Sequence, residues 1–258
     1  MTLVKHGCVN SETVLCYCLV MSTVGPQRAR SAAAKQRREL AILDAARSLG
    51  AERTVREVTL TDIAAAVGMH KSAMLRYFET REQIFLALTA EGWQEWSTAL
   101  RTRLGDLTGA SPNVVAAAIA QSLVARPLFC DLLAQAPMNL ERNVSLHSAY
   151  AFKTAVLGEV SSAATTLGQL LGITERAATD AISTATGMAG ALWQMAAPGT
   201  GLRALYETRP ELAHAVVDVE PQLTRILTAL LTGMCVSTTT TQPAALLGGR
   251  GQARVQTT

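Results

Sequence analysis

The sequence predicts an all-α protein, and three observations carry that expectation. Alanine and leucine, both strong helix formers, dominate the composition, and no run of alternating valine, isoleucine or tyrosine argues for a sheet. Apolar residues recur at the three- and four-residue spacing of buried helix faces in segment after segment. Between Val58 and Phe78 a capped helix, a glycine turn and a second short helix follow one another, the pattern of a helix-turn-helix. With 258 residues the chain can hold two modest domains, each with its own core.

The net charge of +3 argues little by itself. Its distribution says more, because Arg28, Arg30, Lys35, Arg37 and Arg38 fall in a stretch without an acidic residue. Such a basic arm suits phosphate or the minor groove; a solvated charged tail is the competing reading. Residues 1–34 are expected to be a disordered or mis-started extension that includes this arm, with Met21 as the natural start. The apolar run Val14–Met21 is far shorter than the roughly 20 residues that cross a bilayer, so no membrane partner is expected. Of the five cysteines, Cys16 and Cys18 lack zinc-site spacing, and Cys130 lies in an apolar helical run as a small buried hydrophobe. A reduced cytoplasmic setting fits them best.

The first helix is expected over Gln36–Leu49, with Ile42, Ala45, Ala46 and Leu49 on its buried face and Gly50 as its C-terminal cap. Val55 and Val58 plug the core from the connection that follows. Thr59 and Asp62 form a capping pair that opens the second helix, whose inner side is Ile63, Ala64 and Val67. Gly68 supplies the positive φ of the turn, and Met69 tucks it against the core. In the third helix, about His70–Phe78, Met74 and Phe78 point inward. Lys71, Ser72, Ala73, Arg76 and Tyr77 are left outside, where long cations and a phenol can donate to base edges and phosphates.

The run Thr59–Phe85, with Gly68, Lys71, Tyr77-Phe78 and Thr80-Arg81-Glu82 in place, resembles the DNA-binding region of the TetR family of bacterial transcriptional regulators. The resemblance extends over Gln36–Leu88. It implies an N-terminal three-helix helix-turn-helix DNA-binding domain (residues 35–88) and a helical ligand-binding and dimerisation domain (89–233). It also implies a homodimer on a palindromic double-stranded operator. By position, Thr59 and Thr61 approach phosphates and base edges, Lys71, Ser72 and Ala73 begin the base-reading helix, and Tyr77 and Arg81 anchor phosphates. Three positions depart from the family pattern. Leu75 replaces a DNA-touching tyrosine, and Glu79 brings an acid near phosphates unless it points away. His70 replaces a serine and either caps the helix, touches phosphate or is inert.

Thr80 caps the fourth helix, whose stripe runs Ile84, Leu88, Trp93, Trp96, Leu100 and Leu104; the tryptophans read either as interdomain core or as cavity lining. Gly109–Asn113 breaks the chain before helices at Val114–Ala125 and Pro127–Ala136, the second ended by Pro137. Arg126–Leu133 and Pro137–Val144 look like a run in one subset of TetR-family regulatory domains. Helices follow over Ser145–Leu171, Glu175–Ala196 and from about Pro221 to Gly233, with Gly199–Pro210 as a loop. The last two present broad apolar faces, Ile182, Ala185, Ala189, Leu192 and Ala196 on one, Leu223, Ile226, Leu227, Leu230 and Leu231 on the other. They suit a four-helix dimer interface or, alternatively, the protomer's own core. Residues 234–258 are expected as a disordered tail.

Nothing supports an enzyme or a cofactor. No phosphate-binding glycine loop, H-E-x-x-H or G-x-S-x-G occurs, and His6, His70, His147 and His214 are scattered. Cys130 beside Asp131 lacks the signature of an activating base. The expected function is a ligand-responsive regulator, a repressor by resemblance, released by an apolar or amphipathic small molecule through a population shift. Trp96, Phe129, Tyr150, Phe152, Met188 and Trp193 are the candidate pocket residues. The competing reading is a helical ligand-binding or interaction protein that has lost operator binding.

Overall fold

The computed structural model describes residues 26–196 and 198–240, and among these it contains no strand. The helices are α1 (Pro26–Glu52), α2 (Leu60–Ala66), α3 (Lys71–Met74), α4 (Arg81–Gly105), α5 (Pro112–Val124) and α6 (Pro127–Met138), then α7 (Leu146–Leu171), α8 (Glu175–Ala196), α9 (Gly201–Thr208) and α10 (Val219–Thr240). Tight 3-10 turns at Leu140–Asn143 and Pro210–Ala215 precede α7 and α10.

Two apolar cores organise these helices, and α4 runs through both. The smaller joins Ile42 and Ala46 of α1, Val55, Val58, Ile63 of α2, Met74 of α3 and Phe85 of α4. It does not stop at the end of the helix-turn-helix: Leu132 and Ala136 of α6, Leu140 of the turn before α7 and Phe152 of α7 belong to the same cluster. The larger core gathers Trp93, Trp96, Leu100 and Leu104 of α4 with apolar faces of α5, α7, α8 and α10. Within it α8 packs against α5, α6, α7 and α10 at once.

The local signals around the turn are all realised. The Thr59 hydroxyl accepts from the Asp62 amide at 3.2 Å, while the Asp62 carboxylate accepts from the Thr59 amide at 2.8 Å, a reciprocal capping box. Gly68 stands at φ +63° and lets the chain reverse without strain. Loss of an N-cap oxygen costs about 1 kcal/mol. Thr59→Ala is therefore expected to lower unfolding free energy by about that amount in urea titrations, with the m-value unchanged.

Several boundaries differ from the sequence expectation. α1 begins ten residues early, at Pro26, because proline suits a first helical turn and Ala32–Ala34 favour helix. The basic stretch is thus carried on a helix; Lys35, Arg37 and Arg38 are exposed, and Lys35 pairs with Glu39 at 3.6 Å. Gly50 lies inside α1 rather than capping it. A Cβ there would stand 3.0 Å from Leu128 Cδ1, so the glycine serves the close approach of α6. α3 is a single turn, and the chain continues from Leu75 to Phe78 through further tight hydrogen-bonded turns. α6 continues one residue past Pro137.

The segment expected as a loop at Gly199–Pro210 contains α9, capped by the Thr200 hydroxyl accepting from the Arg203 amide at 3.3 Å. α10 passes through Gly233 and extends to Thr240, so the described part of the expected tail, residues 234–240, is helical. Its stripe Leu223, Leu227 and Leu231 is fully buried in the larger core, where α10 packs on α5. Those three leucines cover the protomer's own core, whereas Ile226 and Leu230 of the same expected face stay half-buried and Leu230 borders a groove of about 560 Å³. The expected extension at residues 1–25 and the end of the tail lie outside the described residues.

Candidate nucleic-acid interface and effector cavities

The turn motif presents a polar, cationic face. Thr59, Thr61, Lys71, Ser72 and Arg76 are exposed, and Ala73 and Tyr77 are half-buried beside them. Lys71 and Arg76 enter no ion pair among the described residues, which leaves both charges available to an anionic partner. Tyr77 packs against the smaller core through its ring. Leu75 is 53% exposed on the same face, a large apolar side chain held out in water.

His70 resolves as a cap. Its ring Nδ1 lies 2.8 Å from the Ser72 hydroxyl and 3.4 Å from the Ser72 amide, at the start of α3. Arg81, expected as a phosphate anchor, faces the opposite way. Its guanidinium donates to the carbonyls of Val55 and Val58, pairs with Glu82 at 3.0 Å and lies 4.7 Å over the Phe85 ring. The side chain is only 13% exposed, so its role is to tie the α1–α2 connection to α4.

Glu79 also turns away from the reading face. Its carboxylate accepts from the Ser145 amide at 2.9 Å and from the Ser148 hydroxyl at 2.8 Å, at the N-terminus of α7. Around it, Thr80 donates to the Asn143 carbonyl at 3.2 Å and the Gln83 amide donates to Ser148 at 3.0 Å. A carboxylate from the domain link thus satisfies donors at the start of a helix in the body. Those donors, first the Ser145 amide and then Ser148, hold Glu79 below its ordinary value of 4.5. A depressed carboxylate stabilises the fold above its unfolded value and loses that contribution as pH falls through the folded one. Melting temperature is therefore expected to hold down to about pH 4.5 and drop below it, with Glu79→Gln removing part of the drop.

The six expected pocket residues do not converge. Trp96 is fully buried and Phe129 is 5% exposed; with Trp93 they form one aromatic cluster, ring centroids 5.5–6.1 Å apart. The Trp96 indole donates to the Ser122 hydroxyl at 2.9 Å. A Cβ on Gly92 would meet Phe129 Cδ2 at 2.5 Å, so α4 and α6 pack tightly on this side of the ring, while Phe129 and Gly92 also border a groove of about 380 Å³ rimmed by Arg47, Glu91, Glu95 and Arg126. Tyr150 is 73% exposed, and Met188 is half-buried against the larger core. Phe152 floors a groove of about 350 Å³ between α4 and α7, with Gln83, Leu86, Ala90 and His147 around it.

Trp193 lines a cleft of about 820 Å³ between the end of α5, α8, α9 and the start of α10. Its walls are mainly apolar, Val124, Ala196, Val217 and Val219 among them, and Arg203 crosses the rim. Arg203 is engaged there by Glu207 at 2.5 Å, the Val217 carbonyl at 2.9 Å and Asp218 at 3.6 Å.

The sequence reading missed one role inside the body, that of Asp131, and placed Cys130 correctly as a buried residue. Asp131 of α6 is 5% exposed, and its carboxylate accepts from the Val55 amide at 2.7 Å and from Gln194 Nε2 of α8 at 2.8 Å. A lone acid in the apolar run of α6 was the available signal. Cys130 beside it is buried, its thiol pushed up to about 12 chiefly by burial, and donates to the Leu123 carbonyl at 3.2 Å. Among the described residues no His, Cys, Asp and Glu cluster could hold a metal, and no single helix is long and apolar enough to cross a membrane.

Known proteins match this arrangement. Residues 42–88 match the family described as bacterial regulatory proteins, tetR family, and residues 90–238 match the Tetracyclin repressor-like C-terminal domain. No curated protein matches the chain in sequence. Among solved structures, FadR of Thermus thermophilus, a TetR-family transcriptional repressor in complex with lauroyl-CoA, is similar. It is 18% identical with a TM-score of 0.50, over 82% of this chain and 100% of that one. The fatty acid degradation regulator FadR of Bacillus halodurans is 15% identical with a TM-score of 0.49, over 75% of this chain and 97% of that one. The repressor AlkX from Dietzia, implicated in n-alkane biodegradation, is 17% identical with a TM-score of 0.45, over 76% and 96%. The likeness to the Thermus structure speaks for the fold alone. With a helix-turn-helix model and a regulatory-domain model that together span residues 42–238, the chain belongs to the TetR family of bacterial transcriptional regulators.

Proposed function

We propose that the protein is a repressor that grips a palindromic operator as a homodimer and is released by an apolar or amphipathic small molecule. The observation that carries this reading is the outward cluster Lys71, Ser72, Ala73, Arg76 and Tyr77, one glycine turn after a capped helix, with both cations unpaired. Thr59 and Thr61 support it from the start of α2, His70 sets the first turn of α3, and the Lys35–Arg38 face of α1 adds charge for phosphate. Arg81 acts behind this surface by fixing the α1–α2 connection.

The dimer face we assign lies on α7 and α8. Leu157 is 66% and Met195 56% exposed. Between them Gly158, Ser161, Thr165, Ser183, Thr184, Gly187 and Ala191 are exposed and uncharged, and open space stands over both glycines. A flat, uncharged strip on two neighbouring helices is a surface suited to a partner. Leu157→Arg is expected to convert a dimer to a monomer in sedimentation runs and to weaken operator binding in step. The effector is assigned to the cavities of the body, whose linings are mainly apolar with a polar rim. It acts by favouring a dimer whose recognition helices miss the half-site spacing of about 34–36 Å, and it must bind that state better than the DNA-bound one.

Selection of bound duplexes from random DNA with the purified full chain tests the reading. A palindromic consensus is expected, and lauroyl-CoA, the ligand of the Thermus relative, is a suitable first amphipathic probe for release. Failure to enrich any sequence would sink the assignment.

A further inference from the structure

Asp131 is an acid placed where packing alone calls for an apolar residue. It is 5% exposed, and among the described residues no cation pairs with it. Burying a carboxylate without a counter-charge is costly, and an apolar side chain of similar volume is often as stable or more so. What the carboxylate does that a leucine cannot is bond two separate parts of the molecule at once. One oxygen accepts from the Val55 amide at 2.7 Å, in the connection that leads to α2. The other accepts from Gln194 at 2.8 Å, near the C-terminal end of α8.

Each end of this bridge continues. Gln194 follows Trp193, and Trp193 and Ala196 form the α8 wall of the large cleft. Val55 is held from its other side as well, because its carbonyl accepts from Arg81, which also bonds the Val58 carbonyl. Val58 immediately precedes Thr59, the cap of α2. The four-residue segment from Val55 to Val58 is thus suspended between α6 and α4, and the reading helices hang from it.

We propose that Asp131 is the positioning residue that couples the α8 wall of the large cleft to the helix-turn-helix. This rests on the ligand-responsive reading above and deepens it by naming the joint. A molecule that fills the cleft displaces the C-terminal part of α8, Gln194 carries that displacement to Asp131, and Asp131 carries it to the backbone of Val55. The tight seat of α8 on α6 makes the transmission stiff: a Cβ on Gly190, one turn before Gln194, would stand 2.8 Å from the backbone nitrogen of Ala134. Packed interfaces of this kind shift between discrete arrangements rather than deforming continuously.

Hydrogen exchange of the full-length protein, read by mass spectrometry on peptides covering residues 53–70, tests this without a ligand or DNA. Gln194→Met cuts the α8 half of the bridge while keeping side-chain length. It is expected to speed exchange in that segment about tenfold and leave the larger core at wild-type rates. Gly190→Ala, which pushes α8 off α6 without touching the bridge residues, is expected to do the same. Asp131→Asn should restore near-wild-type exchange, since its amide oxygen can accept from Val55 while its NH₂ donates to a flipped Gln194. Wild-type exchange at residues 53–70 in both Gln194→Met and Gly190→Ala would overturn the proposal, as would uniform acceleration across all helices. If the wild type selects no duplex, the repressor reading falls while the exchange comparison still decides the joint.

Discussion

Lys71→Ala combined with Tyr77→Phe is expected to weaken operator binding about a hundredfold, roughly 3 kcal/mol, while the fold and oligomeric state stay as in the wild type. Lys71 is exposed and unpaired, so its truncation removes a cation without disturbing a neighbour. Tyr77 is half-buried with its ring in the smaller core, so phenylalanine removes only the hydroxyl and keeps the packing. A lysine that meets phosphate also sets the salt response, and the slope of log affinity against log salt should fall by about one. Fluorescence anisotropy on the selected duplex at several salt concentrations checks both numbers. Unchanged affinity would favour the competing reading, a helical protein that no longer grips an operator.

Trp96→Ala is expected to destabilise the protein by about 3–5 kcal/mol, the largest effect of any single truncation proposed for this chain. The indole is fully buried between Trp93, Phe129 and the face of α5. Its removal leaves a void and deprives the Ser122 hydroxyl of its donor, though that hydroxyl still donates to the Ile119 carbonyl at 2.7 Å. Chemical denaturation measures the loss. A residue that merely lined a ligand site would behave otherwise, changing effector affinity with little cost in stability. A loss under about 1 kcal/mol would return Trp96 to the list of pocket residues.

The helix-turn-helix was readable from the sequence because its signals are local. A threonine and an aspartate three residues apart make a cap, and a glycine makes the turn; each needs only its near neighbours. The same holds for the inward Met74 and the outward Lys71. Where a residue's role depends on a partner far along the chain, the sequence misleads. Arg81 looks like a phosphate ligand until the carbonyls of Val55 and Val58 are placed beside it. Glu79 looks like a repulsive charge until Ser145 and Ser148 arrive from 66 and 69 residues away. The apolar faces of the late helices are correct as faces, but periodicity says nothing of what covers them: Leu223, Leu227 and Leu231 of α10 turn into the protomer, while Leu230 on the same helix borders an open groove. Aromatic residues identified as pocket candidates scatter for the same reason, since a tryptophan at helical spacing fills a core and lines a cleft with identical patterns.

The length of α4 sets the gain of the molecule. Its 25 residues, at a rise of about 1.5 Å each, form a rod about 37 Å long, with one end in the core behind the recognition turn and the other in the core of the body. Arg81 and Phe85 fasten its first turns to the Val55–Val58 segment, and Glu79, just before it, holds the same end to the start of α7. A tilt of about 5° at the body end carries the head about 3 Å, close to the 3.4 Å rise of one base step. For a ligand-responsive DNA-binding regulator, a small rotation of this rod is thus enough to shift the DNA-facing helix by about one base step, with no unfolding of either core.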